Sequence, residues 1–167
     1  MRKATQASLR RERALPAALY TPEQKARRDA TVWTLVQGIL APVQFLAFAV
    51  SVILVLRYLA FDTGYVAATV SVLVKTALLL TIMVTGAIWE KVVFGQYLLA
   101  PAFFWEDVVS FGVIALHLAY VAALMTSALP PYGQMILALA AYLAYVVNAA
   151  QFLFKLRQAR LQSQVPA

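Results

Sequence analysis

The chain has 167 residues, of which 63% are hydrophobic and 13% charged, with a formal net charge of +7. Soluble domains carry roughly 25% charged residues and cannot bury this much apolar surface, so the composition predicts an integral membrane protein, an all-α bundle of one domain. The absence of cysteine excludes disulfides, thiolate nucleophiles, Cys-ligated zinc, iron–sulfur clusters and c-type haem attachment, and a single histidine is too few for a protein-held zinc or di-iron centre.

Arg2, Lys3, Arg10, Arg11, Arg13, Lys25, Arg27 and Arg28 all precede the first apolar run. Such a cluster fixes topology and meets anionic lipid; without interleaved aromatics it does not point to nucleic acid. Residues 1–19 are expected to be a disordered basic cytosolic tail. Thr21-Pro22-Glu23-Gln24 supplies a capping hydroxyl, Pro at the first helical position and Gln at the capping-box position, which predicts a short cytosolic helix over 21–31. Four apolar runs follow, over about 33–59, 65–94, 105–128 and 134–156, each meeting the roughly 20 residues a crossing needs. Pro42 should kink the first, and Gly38 and Gly86 should allow close helix approach. Asp62-Thr63-Gly64 and Pro130-Pro131-Tyr132-Gly133 read as tight turns. The domain is expected over 20–157, with a cytosolic tail over 158–167. Basic residues at both ends, and none in the two tight turns, place both termini in the cytoplasm. The N-terminal segment does not read as a signal peptide, because the apolar run behind it is too long and three more follow.

The connector between the second and third runs is unusual. From Trp89 to Asp107 it holds three of the seven acids, Glu90, Glu106 and Asp107, and two of the three tryptophans, with Phe94, Tyr97, Phe103 and Phe104 between them. A carboxyl group beside apolar aromatic surface holds its proton to higher pH than one in water, and Trp and Tyr favour the membrane interface. The pattern suits the roof of a site for a flat, greasy ligand. It also suits an interfacial re-entrant loop anchored by an aromatic belt, the plainer reading of the spacing alone.

Polar residues within spans are expected to face the bundle interior. By depth, Gln44, Lys75 and His117 fall near the midplane, and Gln37, Glu90, Glu106, Asp107, Asn148 and Gln151 in the cytosolic third. At about 100° per residue, Gln37 and Gln44 share a face, as do Glu106 and His117, Lys75 and Glu90, and Asn148 and Gln151. A polar cavity open to the cytosol, with His117 and Lys75 towards its bottom, would result. Each residue also has a plainer role. His117 could be a packing histidine, Lys75 could snorkel, Asn148 and Gln151 could join helices. Glu90 with Lys91 could be a surface charge pair, and Glu106-Asp107 a favourable negative helix start.

Several runs resemble the 3-vinyl bacteriochlorophyllide hydratases: Leu19-Tyr20-Thr21-Pro22-Glu23-Gln24, Arg27-Arg28-Asp29-Ala30-Thr31, Trp33-Thr34-Leu35-Val36-Gln37-Gly38, Thr81-Ile82-Met83-Val84-Thr85-Gly86 and Ile88-Trp89-Glu90-Lys91-Val92-Val93-Phe94-Gly95. Ala100-Pro101-Ala102-Phe103-Phe104-Trp105-Glu106-Asp107, Leu116-His117 and Val146-Val147-Asn148-Ala149-Ala150-Gln151-Phe152 continue the likeness, which covers roughly residues 19–157. The resemblance implies a multi-pass enzyme of the inner, intracytoplasmic photosynthetic membrane of a bacterium. It would add water to the vinyl group of a magnesium chlorin such as chlorophyllide a, giving the 1-hydroxyethyl product, without a cofactor of its own and beside neighbouring enzymes of the pathway. The family offers no short catalytic motif to carry over, so the roles come from chemistry. Glu106 or Glu90 is expected to be the general acid, with Asp107 its partner and His117 a relay or the axial ligand to the substrate's magnesium. Trp89, Trp105, Phe103 and Phe104 would stack on the ring, with Gln44, Lys75 and Asn148 polar contacts in the pocket. Lys91, Arg28 or Lys155 would meet the propionate. A non-catalytic chlorophyllide scaffold or carrier would use the same pocket without needing a proton donor. A transporter is disfavoured by the lack of repeat symmetry.

Overall fold

In a computed structural model of the protein, residues 19–162 are described; the basic tail expected over 1–19 lies outside them up to residue 18, as do residues 163–167. Five helices and no strand are found among the described residues. Helix α1, Pro22–Ala30, starts on the predicted capping box. The Gln24 N–H donates to the Thr21 hydroxyl at 3.2 Å, and the Thr21 N–H donates to Gln24 Oε1 at 2.9 Å. Thr31 then adopts an extended conformation (φ −84°, ψ 138°), so α1 stops and α2, Val32–Phe61, begins as a separate helix.

Helix α2 runs through Pro42 without a break. The missing Pro42 N–H and the crowding of its ring fall on the turn holding residue i−4, which is Gly38. A Cβ at Gly38 would meet nothing within 4 Å, and one at Gly86 would meet only the Gln37 side chain at 3.8 Å. The expectation of tight helix crossings at these two glycines is therefore not met. Asp62 (φ 52°) and Gly64 (φ 85°) turn the chain through left-handed conformations into α3, Tyr65–Phe94. Gly95 (φ 89°) ends α3, and after a loop over 96–103 come α4, Phe104–Thr126, and α5, Pro131–Gln162. Pro131 sits at the first helical position, where its lack of an N–H costs nothing. Helix α5 therefore starts inside the second predicted turn and continues past residue 157.

Helices α2 to α5 include four stretches long and apolar enough to cross a membrane. They form two hairpins, α2 with α3 and α4 with α5, each packed along its length; the hairpins meet more sparsely, α2 against α5 and α3 against α4. At the end away from α1 the hairpins share an apolar core of Val55, Ala68, Val72, Tyr120, Met135 and Tyr142. Hydrogen bonds cross that core. The Tyr142 hydroxyl pairs with Ser51, Ser51 with Ser71, and the Tyr65 hydroxyl donates to Gln134. Large apolar side chains such as Leu46, Ile53, Val66 and Leu143 point outward, the arrangement expected where lipid takes the place of water.

Candidate active site

The end of the bundle beside α1 is built by aromatic packing. Tyr20 stacks on Phe94 at 5.8 Å, Trp89 meets Phe94 and Phe103 edge-on at 5.7 Å, and Phe103 stacks on Phe152 at 5.9 Å. Thr34 ties this cluster to α1: its hydroxyl donates to the Arg28 carbonyl at 2.6 Å and accepts from Trp89 Nε1 at 2.9 Å. The predicted quartet of stacking rings is not brought together. Trp89 and Phe103 lie inside the cluster, whereas Phe104 and Trp105 face outward, with Trp105 67% exposed.

Against this cluster lie the acids. Glu90 is in the last turns of α3 and Asp107 in the first turn of α4, and both are buried, at 5% and 3% exposure. The intervening loop folds back over them. Leu99 takes a left-handed φ of 59°, a conformation that costs an L-residue roughly 1–2 kcal/mol. The gain is two successive backbone N–H groups aimed at the acids, Leu99 to Asp107 Oδ2 at 2.7 Å and Ala100 to Glu90 Oε2 at 3.2 Å. Such concave runs of N–H groups hold anionic oxygens. The loop thereby brings the Glu90 and Asp107 carboxyl groups together beneath it.

Glu106 is separate from the pair. It accepts a salt bridge from Lys155 Nζ at 2.6 Å, and Lys155 also donates to the Ala102 carbonyl, joining α5 to the loop. Asn148 is an interhelical tie: its Nδ2 donates to the Glu106 carbonyl at 2.9 Å and to Ser110 Oγ at 3.0 Å. Lys91 is exposed and caps its own helix by donating to the Gly95 carbonyl at 2.8 Å. Arg28 pairs with Asp29 at 2.6 Å. Gln37 donates to Thr85 at 2.8 Å, and Gln44 is buried at 3% exposure. Farther down the seam between α3 and α4 sit Lys75 and His117, at 0% and 1% exposure. The polar faces thus point inward as expected, but they form two groups rather than one.

The sequence leaves either Glu106 or Glu90 as the partner of Asp107. The structure places it with Glu90. Adjacent residues on a helix point about 100° apart, so Glu106 and Asp107 cannot both face one partner, a signal that was available. Three features carried no such signal: the Lys155–Glu106 pair, the two loop N–H groups and the inclusion of Tyr20 and Phe152 in the aromatic cluster.

Fold and site together define an all-helical protein with four helices long and apolar enough to cross a membrane, and with two buried carboxyl groups under one loop near an aromatic cluster. A sequence model described as 2-vinyl bacteriochlorophyllide hydratase matches residues 20–158. The 2-vinyl bacteriochlorophyllide hydratase of Rhodobacter capsulatus is 72% identical over 146 residues, 87% of this chain and 85% of the relative. That of Cereibacter sphaeroides is 72% identical over 147 residues, 87% of this chain and 91% of the relative. No solved structure matches. The chain belongs to the 2-vinyl bacteriochlorophyllide hydratase family; "2-vinyl" and "3-vinyl" name the same ring substituent in two tetrapyrrole numbering schemes.

Proposed function

We propose that the protein adds water to the vinyl group of a magnesium chlorin of the bacteriochlorophyllide type, giving the 1-hydroxyethyl derivative, with Glu90 and Asp107 as its proton-transfer pair. The observation that supports this assignment is the burial of both carboxyl groups beneath one loop, whose successive N–H groups hold one oxygen of each; two carboxyl groups so placed can share one proton. The protonated member gives its proton to the terminal vinyl carbon. The carbon–carbon π bond breaks, a C–H bond forms, and positive charge develops on the carbon next to the macrocycle, which delocalises it. A water oxygen bonds to that carbon. The pair, now one proton short, takes a proton from the added water and returns to its starting state. The net change is one water added, with no electron transferred. Acid catalysis of this kind contributes typically 10²–10⁴-fold, and fixing the vinyl group and water beside the pair adds to it.

The test is the mass of the pigment after purified protein in detergent is given chlorophyllide a in ¹⁸O-water. The expected product is heavier by one labelled water, with its red absorption band moved to the blue as the vinyl group leaves conjugation. Pigment bound at unchanged mass would refute the hydratase assignment and favour a carrier.

The same reading places the protein in the photosynthetic membrane of a bacterium, with both termini on the cytoplasmic side. The support is the basic residues that flank the apolar spans at both ends. Reporter fusions to either terminus are expected to behave as cytoplasmic, and a periplasmic signal from one end would overturn that orientation.

A further inference from the structure

Two buried nitrogens near the middle of the bundle have no hydrogen-bond partner among the described residues: Lys75 Nζ and His117 Nε2. Both side chains are wholly enclosed, at 0% and 1% exposure. His117 Nδ1 lies 2.8 Å from the Val113 carbonyl. A carbonyl can only accept, so Nδ1 carries the hydrogen and Nε2 of the neutral ring presents its lone pair. Lys75 Nζ lies over the Tyr145 ring at 3.6 Å, and His117 packs at 5.9 Å from the Tyr142 ring, one turn away on the same helix. Lys75 from α3 and His117 from α4 thus meet the same face of α5 one turn apart, and neither nitrogen bonds the other. An unmet polar group in an apolar interior is costly, and an ionisable one within a membrane span marks a functional site. Together the two nitrogens ask for a ligand with an electron-poor centre for Nε2 and an oxygen acceptor for Nζ.

The carboxyl pair lies on the same seam. Lys75 and Glu90 are fifteen residues apart on one helix, about 22 Å at ~1.5 Å per residue, and Asp107 and His117 are ten apart, about 15 Å. The longer interval is comparable with the width of a tetrapyrrole plus one contact at each edge; the shorter, which ends at the histidine on the ring centre, is comparable with half that width plus the reach of the two side chains. The two hairpins pack sparsely across this seam, and a flat molecule reaches the enclosed Lys75 and His117 when the hairpins part there.

Resting on the hydratase reading, we infer that Lys75 and His117 seat the macrocycle upright in this seam. His117 Nε2 takes the axial position on the substrate's magnesium, and Lys75 Nζ donates to an oxygen at the ring edge remote from the vinyl group. That oxygen is the free propionate carboxylate or the ring ketone. The cations named from the sequence for the propionate, Arg28, Lys91 and Lys155, are engaged by Asp29, the Gly95 carbonyl and Glu106. These contacts fix the height of the ring so that its vinyl edge reaches Glu90 and Asp107.

The experiment is a set of pigment-binding titrations in detergent, read by absorption. The pigments are chlorophyllide a, its magnesium-free form, its propionate methyl ester and its ketone-reduced form. The proteins are the unsubstituted chain, His117→Phe, Lys75→Met and the milder His117→Gln and Lys75→Arg. The unsubstituted protein is expected to favour the magnesium pigment by about tenfold, with a band shift marking axial ligation; both disappear in His117→Phe. Lys75→Met is expected to erase the preference for the free acid or that for the ketone, whichever oxygen is the acceptor, and Lys75→Arg to keep it. If the variants weaken all four pigments equally, or leave the ranking untouched because water alone meets the two nitrogens, the inference fails. Hydration by the unsubstituted protein with an unchanged ranking in the variants would overturn this inference alone. The expected rankings without hydration would overturn the hydratase reading and leave the binding pair standing.

Discussion

Glu90→Gln is expected to slow hydration by about 10²–10⁴-fold, the range general acid–base catalysis contributes, while pigment binding is preserved. The reason is stoichiometric. In the proposed mechanism Glu90 and Asp107 share one proton beneath the loop over 96–103, whose N–H groups hold both. An amide at position 90 can still accept from the Ala100 N–H, so the fold is kept, but it cannot give up a proton and recover it. Asp107→Asn is expected to act similarly, and the double variant to be little worse than either single one, because groups that act as a unit are not additive. Glu106→Gln is expected to cost far less in rate, since Glu106 is bound to Lys155 rather than to the pair. The rate of the unsubstituted protein should fall as pH rises, because the step begins with a protonated carboxyl and the pair has one proton to lose. Initial rates from product mass, measured with a pigment titration on the same preparations, decide the matter. Near-full rates in both Glu90→Gln and Asp107→Asn would remove the pair from the mechanism.

Much of the architecture is legible in the sequence because it follows from local rules. Four long apolar runs, the Thr21–Gln24 capping box and the Asp62-Thr63-Gly64 turn are short-range patterns, and each appears where its chemistry requires. The ends of the last helix are less legible, because Pro131 reads equally as a turn residue and as a first helical residue. Within the site, helical periodicity shows that Glu90, Asp107, Lys75 and His117 face inward. It does not show that they divide between two levels of one seam, since that depends on how α3 and α4 are set against each other. Least legible is the role of backbone. No residue type announces that Leu99 adopts a left-handed conformation and that its N–H, with that of Ala100, will hold the acids. The aromatic residues around the site were also over-counted. Phe103, Phe104 and Trp105 are consecutive, so a helix start must send them in different directions, and only Phe103 turns inward.

Lys155→Met is expected to cost roughly 2–3 kcal/mol of stability and to lower the rate as well. Among the described residues, Lys155 ties α5 to both the loop and Glu106, through the Ala102 carbonyl and the Glu106 carboxylate. Removing one partner of a buried ion pair typically costs about 3–5 kcal/mol, because the other charge is left uncompensated. The value here is set lower because the Lys155 side chain is 24% exposed, against 8% for Glu106, so water partly reaches the site. The effect on rate follows from position. Glu106 precedes Asp107, and Ala102 lies two residues past Ala100, whose N–H holds Glu90. An unpaired Glu106 would therefore place a free negative charge beside the proton-sharing pair and release the loop that positions it. The double variant Lys155→Met/Glu106→Gln separates these two effects. It removes the stranded charge, so most of the lost stability should return, while the missing tie to Ala102 keeps the rate depressed. Lys155→Arg should retain both. Thermal unfolding midpoints in detergent, with initial rates on the same samples, provide the comparison. If the double variant were no more stable than Lys155→Met, the stranded charge would not be the cause, and the stabilising role of Lys155 would rest on its contact with the loop carbonyl instead.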